Sequence, residues 1–172
     1  MKKIIAIIVL TFGCVSIYAQ NEATKEALKA ANDMVYDLAH GKIERFNWLT
    51  VGEVDQLFHP KNARSNDKWR EILENPGKVC LPELQDIKKN GTSMGVDWNN
   101  VVVTDIRYTG KYDEDFGAEE MRGFIFVKSH GKTFRIFFKR GFLLNEKWRL
   151  MELRSIEKTS KIPPQLPKSG KN

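Results

Sequence analysis

The sequence predicts an α+β domain in which N-terminal helices pack on one face of a curved, four-stranded antiparallel meander. As far as Asn90, apolar residues recur at three- and four-residue steps, which is typical of amphipathic helices. Beyond Trp98 they alternate with polar residues at a period of two, which is typical of strands. Each half has only one apolar face, so the two halves need one another to bury it.

Start and stop residues divide the helical half into four predicted helices. These are Glu22–His40, a second helix from a cap at Thr50 to Pro60, Asn66–Glu74, and Pro82 to Asn90-Gly91. Gly41 suits a left-handed cap for the first helix. Glu53 can reach back to Thr50 in a capping box, with Leu49 packing on Val54. Pro76-Gly77 is expected to end the third helix.

Four predicted strands follow, rich in β-branched and aromatic residues: Val101–Tyr112, Met121–Ser129, Thr133–Phe142 and Trp148–Ile156. A two-residue turn at His130-Gly131 fixes the register of the middle hairpin. On one face it pairs Ser129 with Lys132, Val127 with Phe134, Ile125 with Ile136 and Gly123 with Phe138. On the other it pairs Phe126 with Arg135, Phe124 with Phe137 and Arg122 with Lys139. The first face is apolar, so we expect it to cover the helices.

The N-terminal residues predict export. Lys2 and Lys3 precede an apolar run from Ile4 to Tyr18, and the small residue Ala19 follows, which together are typical of a secretory signal peptide. We expect cleavage after Ala19 and a secreted or periplasmic protein. The alternatives are a membrane anchor, for which the apolar run is short, and lipid attachment at Cys14.

Composition predicts one domain at residues 20–157 and a disordered basic tail at residues 158–172. The chain carries 28 Lys and Arg against 22 Asp and Glu. The whole surplus lies before residue 20 and after residue 157, so the domain itself should be neutral and no nucleic acid partner is expected. After cleavage only Cys80 remains, which excludes an intramolecular disulfide and favours a small buried apolar role for that residue.

Cations concentrate on the predicted strands. Between Val101 and Glu157 there are eleven basic and nine acidic residues, and five of the acids fall in a predicted loop from Asp113 to Glu120. The outward face therefore mixes phenylalanines with cations, and we interpret it as a binding surface for a protein, a small anionic ligand or a second copy of the chain. Its residues are Arg122, Phe124, Phe126, Lys128, Arg135, Phe137 and Lys139. The alternative is that Arg and Lys stems, or the C-terminal segment, only cover the rings.

Other chemistry has weaker support in the sequence. His40, His59 and His130 match no metal-ligand spacing, so no metal or other cofactor is expected. Asp105 and Arg107 share one strand face, where a surface ion pair is the default and a catalytic dyad the alternative. The acidic stretch that begins at Asp113 lacks the ligand pattern of a calcium loop. Phosphate-binding glycine loops and the serine hydrolase and zinc protease motifs are missing from the sequence.

The element order, and the ending Glu146-Lys147-Trp148-Arg149-Leu150, resemble the cystatin-like α+β proteins, particularly the nuclear transport factor 2-like superfamily. The resemblance implies a concave sheet with a small-molecule pocket or a protein-binding face, and it implies no single activity. The family usually places two strands among its helices, whereas only Lys78 to Leu81 could be extended here. Three functions stay open: a non-enzymatic binding module, a pocket enzyme such as an isomerase or dehydratase that uses Asp105 or a histidine as base, and an inhibitor or immunity-type protein.

Overall fold

The computed structural model describes residues 25–42, 52–53, 57, 70–71, 74, 76–114, 117–145 and 147–162. The predicted signal peptide, the cap at Thr50, most of the second and third predicted helices and the tail beyond Ile162 lie outside these residues. No helix in the described ranges is long and apolar enough to span a membrane.

The described chain is an α+β structure. Helix α1 covers residues 25–40 and helix α2 covers Pro76–Ser93. The strands are β1 (Val102–Asp113), β2 (Ala118–Ser129), β3 (Lys132–Leu144) and β4 (Lys147–Thr159), in the order β1-β2-β3-β4 with every neighbouring pair antiparallel. The predicted fold class is thus confirmed at the level of helices followed by a four-stranded antiparallel meander.

The end of α1 confirms the cap predicted at Gly41. Gly41 has a φ of +68°, its N–H donates to Leu38 O at 3.4 Å, and the N–H of Lys42 donates to Asp37 O at 2.9 Å. These two bonds are the Schellman pattern, in which a left-handed residue satisfies the last carbonyls of the helix. The buried stripe of α1 then enters the core through small and flexible side chains: Ala27, Ala30, Ala31, Met34, Val35 and Leu38.

Helix α2 corrects two predicted boundaries. Pro76-Gly77 was expected to end a helix and Pro82 to begin one, but a single helix runs from Pro76 through Pro82 to Ser93. Pro76 suits the first helical position, where its missing N–H has no intrahelical partner. Pro82 removes one helical hydrogen bond, and burial of Leu84 and Ile87 on the same helix offsets that cost. Since residues 78–81 are helical, the extended segment considered there does not form.

The middle hairpin has the predicted register. From Ser129↔Lys132 to Gly123↔Phe138 every predicted pair on the apolar face is present, as are Phe126↔Arg135 and Phe124↔Phe137 on the other. His130 and Gly131 have φ values of +48° and +72°, as a type I′ turn requires. The pair predicted between Arg122 and Lys139 does not form, because the register shifts between Met121 and Gly123.

The connection between β1 and β2 is shorter than predicted. Asp113 still belongs to β1, and β2 begins at Ala118 rather than at Met121. The acidic residues Glu119 and Glu120 therefore lie on a strand instead of in a solvated loop. At the other end of the sheet, β4 continues to Thr159.

The core lies between the helices and the apolar face of the sheet. Ile125, Val127, Phe134, Ile136 and Phe138 are each fully buried there, as the alternation predicts. The same cluster contains the buried residues of α1 and of α2. We call this side of the sheet the inner face and the opposite side the outer face.

Trp98 closes one end of the core beside Gly91. Its ring Nε1 donates to Lys88 O at 3.0 Å and to Thr92 Oγ1 at 3.2 Å. Lys88 also donates from Nζ to Ala39 O at 2.7 Å, which joins α2 to the end of α1. Gly91 gives the indole room, since a Cβ at that position would overlap the Trp98 ring.

Candidate functional site

The outer face is crossed by transverse rows, because residues directly opposite in antiparallel strands point to the same side. From β1 to β4 the first row is Val102, Lys128, Thr133 and Thr159, the second is Asp105, Phe126, Arg135 and Glu157, and the third is Arg107, Phe124, Phe137 and Ser155. Five of the seven residues predicted to form the site lie in these rows. Arg122 and Lys139 lie beyond the third row, on β2 and β3.

Three phenylalanines form the apolar centre of this face. The ring of Phe124 lies 5.4 Å from that of Phe137 and 6.4 Å from that of Phe126, measured between centroids. Phe126 is 0% exposed, whereas Phe124 and Phe137 are partly exposed. Phe126 was predicted to contact a partner, but a fully buried ring supports its neighbours and offers no surface. Of these three rings, Phe124 and Phe137 present aromatic area to a ligand.

Arg135 lies across this aromatic centre. Its guanidinium carbon is 4.7 Å from the centroid of Phe124, which is a cation–π contact. Its Nε and Nη2 both donate to Glu157 Oε2, at 3.1 Å and 2.8 Å. Ring and carboxylate together fix the plane of the guanidinium. Within the described residues, Nη1 of Arg135 has no hydrogen-bond partner.

Most other arginines of the sheet are neutralised by partners. Arg107 pairs with Asp105 at 2.7 Å; Arg140 with Glu120 and Glu152 at 3.6 Å and 3.4 Å; Arg149 with Glu53 at 2.8 Å; and Arg154 with Glu83 and Glu152 at 2.7 Å and 2.9 Å. By contrast, Arg122, Lys128 and Lys139 are exposed, and no described residue forms an ion pair with them. These three side chains, together with the exposed Lys111 on β1, therefore give the outer face its positive character.

Glu120 was predicted to lie in an acidic loop, but it lies on β2 and pairs with Arg140. Burial raises the pKa of its carboxyl; the charge of Arg140 opposes this, Asp113 and Glu152 raise the pKa further, and Lys139 lowers it to a smaller extent. Arg140 lies between Glu120 and Glu152, and Arg154 also pairs with Glu152, so two guanidinium groups compensate two carboxylates at the far end of the sheet. This part of the outer face is close to neutral, unlike the part around Phe124.

Two of the residues considered as bases are already engaged. Asp105 Oδ2 lies 2.7 Å from Arg107 Nη2, and its Oδ1 accepts from the N–H of Ile106 at 2.8 Å, which is the expected surface ion pair. His130 Nε2 lies 3.3 Å from Asp97 Oδ2 in the turn between β2 and β3. His40 is on α1, with Nδ1 2.8 Å from Tyr36 O, and His59 lies outside the described residues. The part of the chain that the structure describes contains no cluster of metal-ligating side chains.

Cys80 is half-buried on α2, and its thiol is a poor nucleophile. Burial raises its pKa from 9.0 to about 11, with further contributions from the charges of Glu83 and Glu152. In a Cys14→Ser variant at pH 8, we expect Cys80 to react with a disulfide reagent about a hundredfold more slowly in the native state than in denaturant, because its thiolate fraction falls by that factor. Equal rates in the two states would contradict this expectation.

Glu157 belongs to the site, although the sequence pattern did not indicate it. It lies one residue beyond the predicted end of the last strand, but Ser155 and Glu157 continue the two-residue period of the outer face. Extending the alternation by one step would have placed a carboxylate beside Arg135. The ion pair between Arg149 and Glu53 joins residues far apart in the chain, and nothing in the local pattern indicates it.

Comparison with known proteins gives this chain no relative from which function could be transferred. No protein-family model matches the sequence, no curated protein matches it, and no solved structure matches the fold. Functional interpretation therefore depends on the geometry of the outer face.

Proposed function

We propose that this protein is a non-enzymatic binding module that recognises an anionic partner through the outer face of its sheet. The observation that carries the proposal is the arrangement around Phe124 and Phe137. Two partly exposed rings and a stacked Arg135 are surrounded by Arg122, Lys128 and Lys139, which have no ion-pair partner among the described residues. An apolar centre with a charged periphery is the usual anatomy of a protein-binding surface.

The chemistry of the central residues supports binding rather than a purely structural role. Arginine and aromatic residues are enriched where partners make their strongest contacts, because they provide large area and several hydrogen bonds at once. Exposed cations at the periphery attract an oppositely charged partner and accelerate encounter.

Two further parts of the proposal come from the sequence. The Lys2-Lys3 start, the apolar run and Ala19 support a signal peptide and a secreted or periplasmic location. The order of helices and strands supports a place among the cystatin-like, nuclear transport factor 2-like proteins. Asp105 already pairs with Arg107, which favours the binding module over a pocket enzyme that would use Asp105 as its base.

A charge-reversal experiment tests the proposed surface. The variant R122E/K128E/K139E changes the outer face, and the control K25E/K29E/K89E makes the same change of net charge on exposed helix positions. On immobilised heparin and poly-L-glutamate, we expect the outer-face variant to lose affinity by about tenfold or more, because the cations beside the ligand are reversed.

The helix variant should lose much less affinity, since its charges lie away from the outer face. Both proteins carry the same basic C-terminal tail, so any binding through the tail is common to them. Equal losses in the two variants would contradict the proposal, because binding would then follow net charge alone.

A further inference from the structure

We propose that Glu157 occupies the position on Arg135 that a carboxylate of the partner takes, and that the partner is an acidic, extended polypeptide segment of another protein. The inference rests on the proposed function of the outer face, and adds to it the class of partner and a competing side chain within the chain itself.

The contact between Arg135 and Glu157 has the geometry of carboxylate recognition. Nε and Nη2 of Arg135 both donate to one oxygen of Glu157, at 3.1 Å and 2.8 Å, while the guanidinium rests on the ring of Phe124. Arginine binds carboxylates most strongly through two parallel N–H···O bonds, one to each oxygen, whereas Glu157 accepts both bonds on one oxygen. The site therefore already holds the chemical group that we expect a partner to supply.

The exposure of this internal ion pair allows a carboxylate of the partner to replace Glu157 on Arg135. The side chain of Glu157 is 52% exposed and that of Arg135 is 35% exposed. Exposed ion pairs contribute little to stability, so a carboxylate from outside can replace Glu157 at small cost. Phe124 continues to hold the guanidinium while the exchange takes place, and the released Glu157 can turn into water.

The spacing of groups along the face matches an extended polypeptide. Arg135 and Phe137 lie at alternate positions in the regular part of β3, which places the two groups about 6.6 Å apart. Lys139 follows in the stretch where β3 shifts register against both neighbouring strands. An extended partner strand also presents its side chains to one side at alternate positions. A segment with an acidic residue and an apolar residue at alternate positions would meet Arg135 and Phe137 in turn.

A second cation reinforces the Arg135 position. Lys128 on β2 stands opposite Thr133, so it is the diagonal neighbour of Arg135 across the strand pair. Diagonal neighbours are about 7–8 Å apart, close to the spacing of alternate carboxylates on an extended chain. A partner with several acidic residues therefore gains contacts that the single carboxylate of Glu157 cannot make.

Replacement of Glu157 tests the competition. With poly-L-glutamate as probe at fixed salt, we expect E157Q to bind about three- to tenfold more tightly than the unaltered protein, because the competing charge is gone. E83Q is the matched control, since Glu83 forms a similarly exposed pair with Arg154 and loses the same charge away from the outer face. It should change affinity by less than about twofold.

Two further measurements complete the test. R135Q should weaken binding by about tenfold or more, with thermal unfolding of every variant recorded to confirm that it folds. Polygalacturonate, a carboxylated glycan, should bind more weakly than poly-L-glutamate, and the reverse order would overturn the polypeptide assignment. If E157Q binds no more tightly than E83Q, Glu157 does not compete with the partner. That result would leave the proposed binding surface itself unaffected. Failure of the unaltered protein to bind either polymer would overturn the proposed function itself.

Discussion

Gly123→Ala is expected to destabilise the fold by about 3 kcal/mol or more, the largest effect of any single substitution considered for this sheet. Gly123 pairs with Tyr108 on β1, and a Cβ at position 123 would overlap the carbonyl oxygen of Arg107 and the Cα of Tyr108. These are backbone atoms of a hydrogen-bonded strand, so they cannot move aside as a side-chain end can. Relief requires β1 to separate from β2 where the two strands cover the core.

Urea denaturation followed by circular dichroism measures this loss, with Gly110→Ala as the matched control. Gly110 also lies on a strand of the same pair, but a Cβ there would meet only the side chain of Glu119. That side chain can rotate, so the control should cost no more than about 1 kcal/mol. If the two variants lost similar amounts of unfolding free energy, the close approach of β1 to Gly123 would not be the cause of the destabilisation.

Gly91→Ala is the second substitution with a large expected effect. Alanine normally stabilises a helix interior by about 1 kcal/mol relative to glycine. In α2 we expect the opposite, a loss of about 1–3 kcal/mol, because the new methyl group would overlap the Trp98 ring and lie 3.3 Å from Ile156 Cδ1. Trp98 cannot shift without losing the hydrogen bond from its Nε1 to Lys88 O.

Gly52→Ala provides the comparison for Gly91→Ala. Gly52 is also helical, it is exposed, and an added Cβ would have no atom within 4 Å. Its substitution should be neutral or stabilising by up to about 1 kcal/mol in the same denaturation measurement. If Gly91→Ala were also stabilising, close packing of Trp98 on α2 could not be correct.

The register of β2 against β3 was predictable as far as Gly123, because it depends on local information. The turn at His130-Gly131 requires positive φ at both positions, and it aligns β2 with β3 residue by residue. Two-residue alternation then assigns every side chain to a face. The inner residues Ile125, Ile136 and Phe138 were identified in this way, and all of them are buried.

The errors arose where distant parts of the chain decide the local structure. Pro82 is a reliable breaker in an isolated segment, yet α2 continues through it because its apolar residues are buried in the core. The register shift beside Gly123 lies between β2 and β3, where β3 has one more residue than β2, and β3 shifts against β4 in the same stretch. Sequence spacing therefore predicts pairs up to the first irregularity and not beyond it.

The sequence predicted which residues of the candidate site share one face of the sheet. It did not predict how deeply each of their side chains is buried. Alternation placed Phe124, Phe126 and Phe137 together on the outer face. It could not show that Phe126, in the second row between Asp105 and Arg135, would be covered completely. Glu157 was missed for a related reason, since a carboxylate at the end of a strand belongs to a site only when the neighbouring strand brings an arginine to it.

The order of elements along the chain has a consequence for synthesis on the ribosome. Helix α1 leaves the exit tunnel first, but Ile125, Ile136 and Phe138, which belong to the same core cluster, are translated much later. At ordinary elongation rates the delay is on the order of 5–20 s. During that interval Met34 and Leu38 have no strand to cover them, and the nascent chain stays open to chaperones and to any export machinery that accepts unfolded polypeptides.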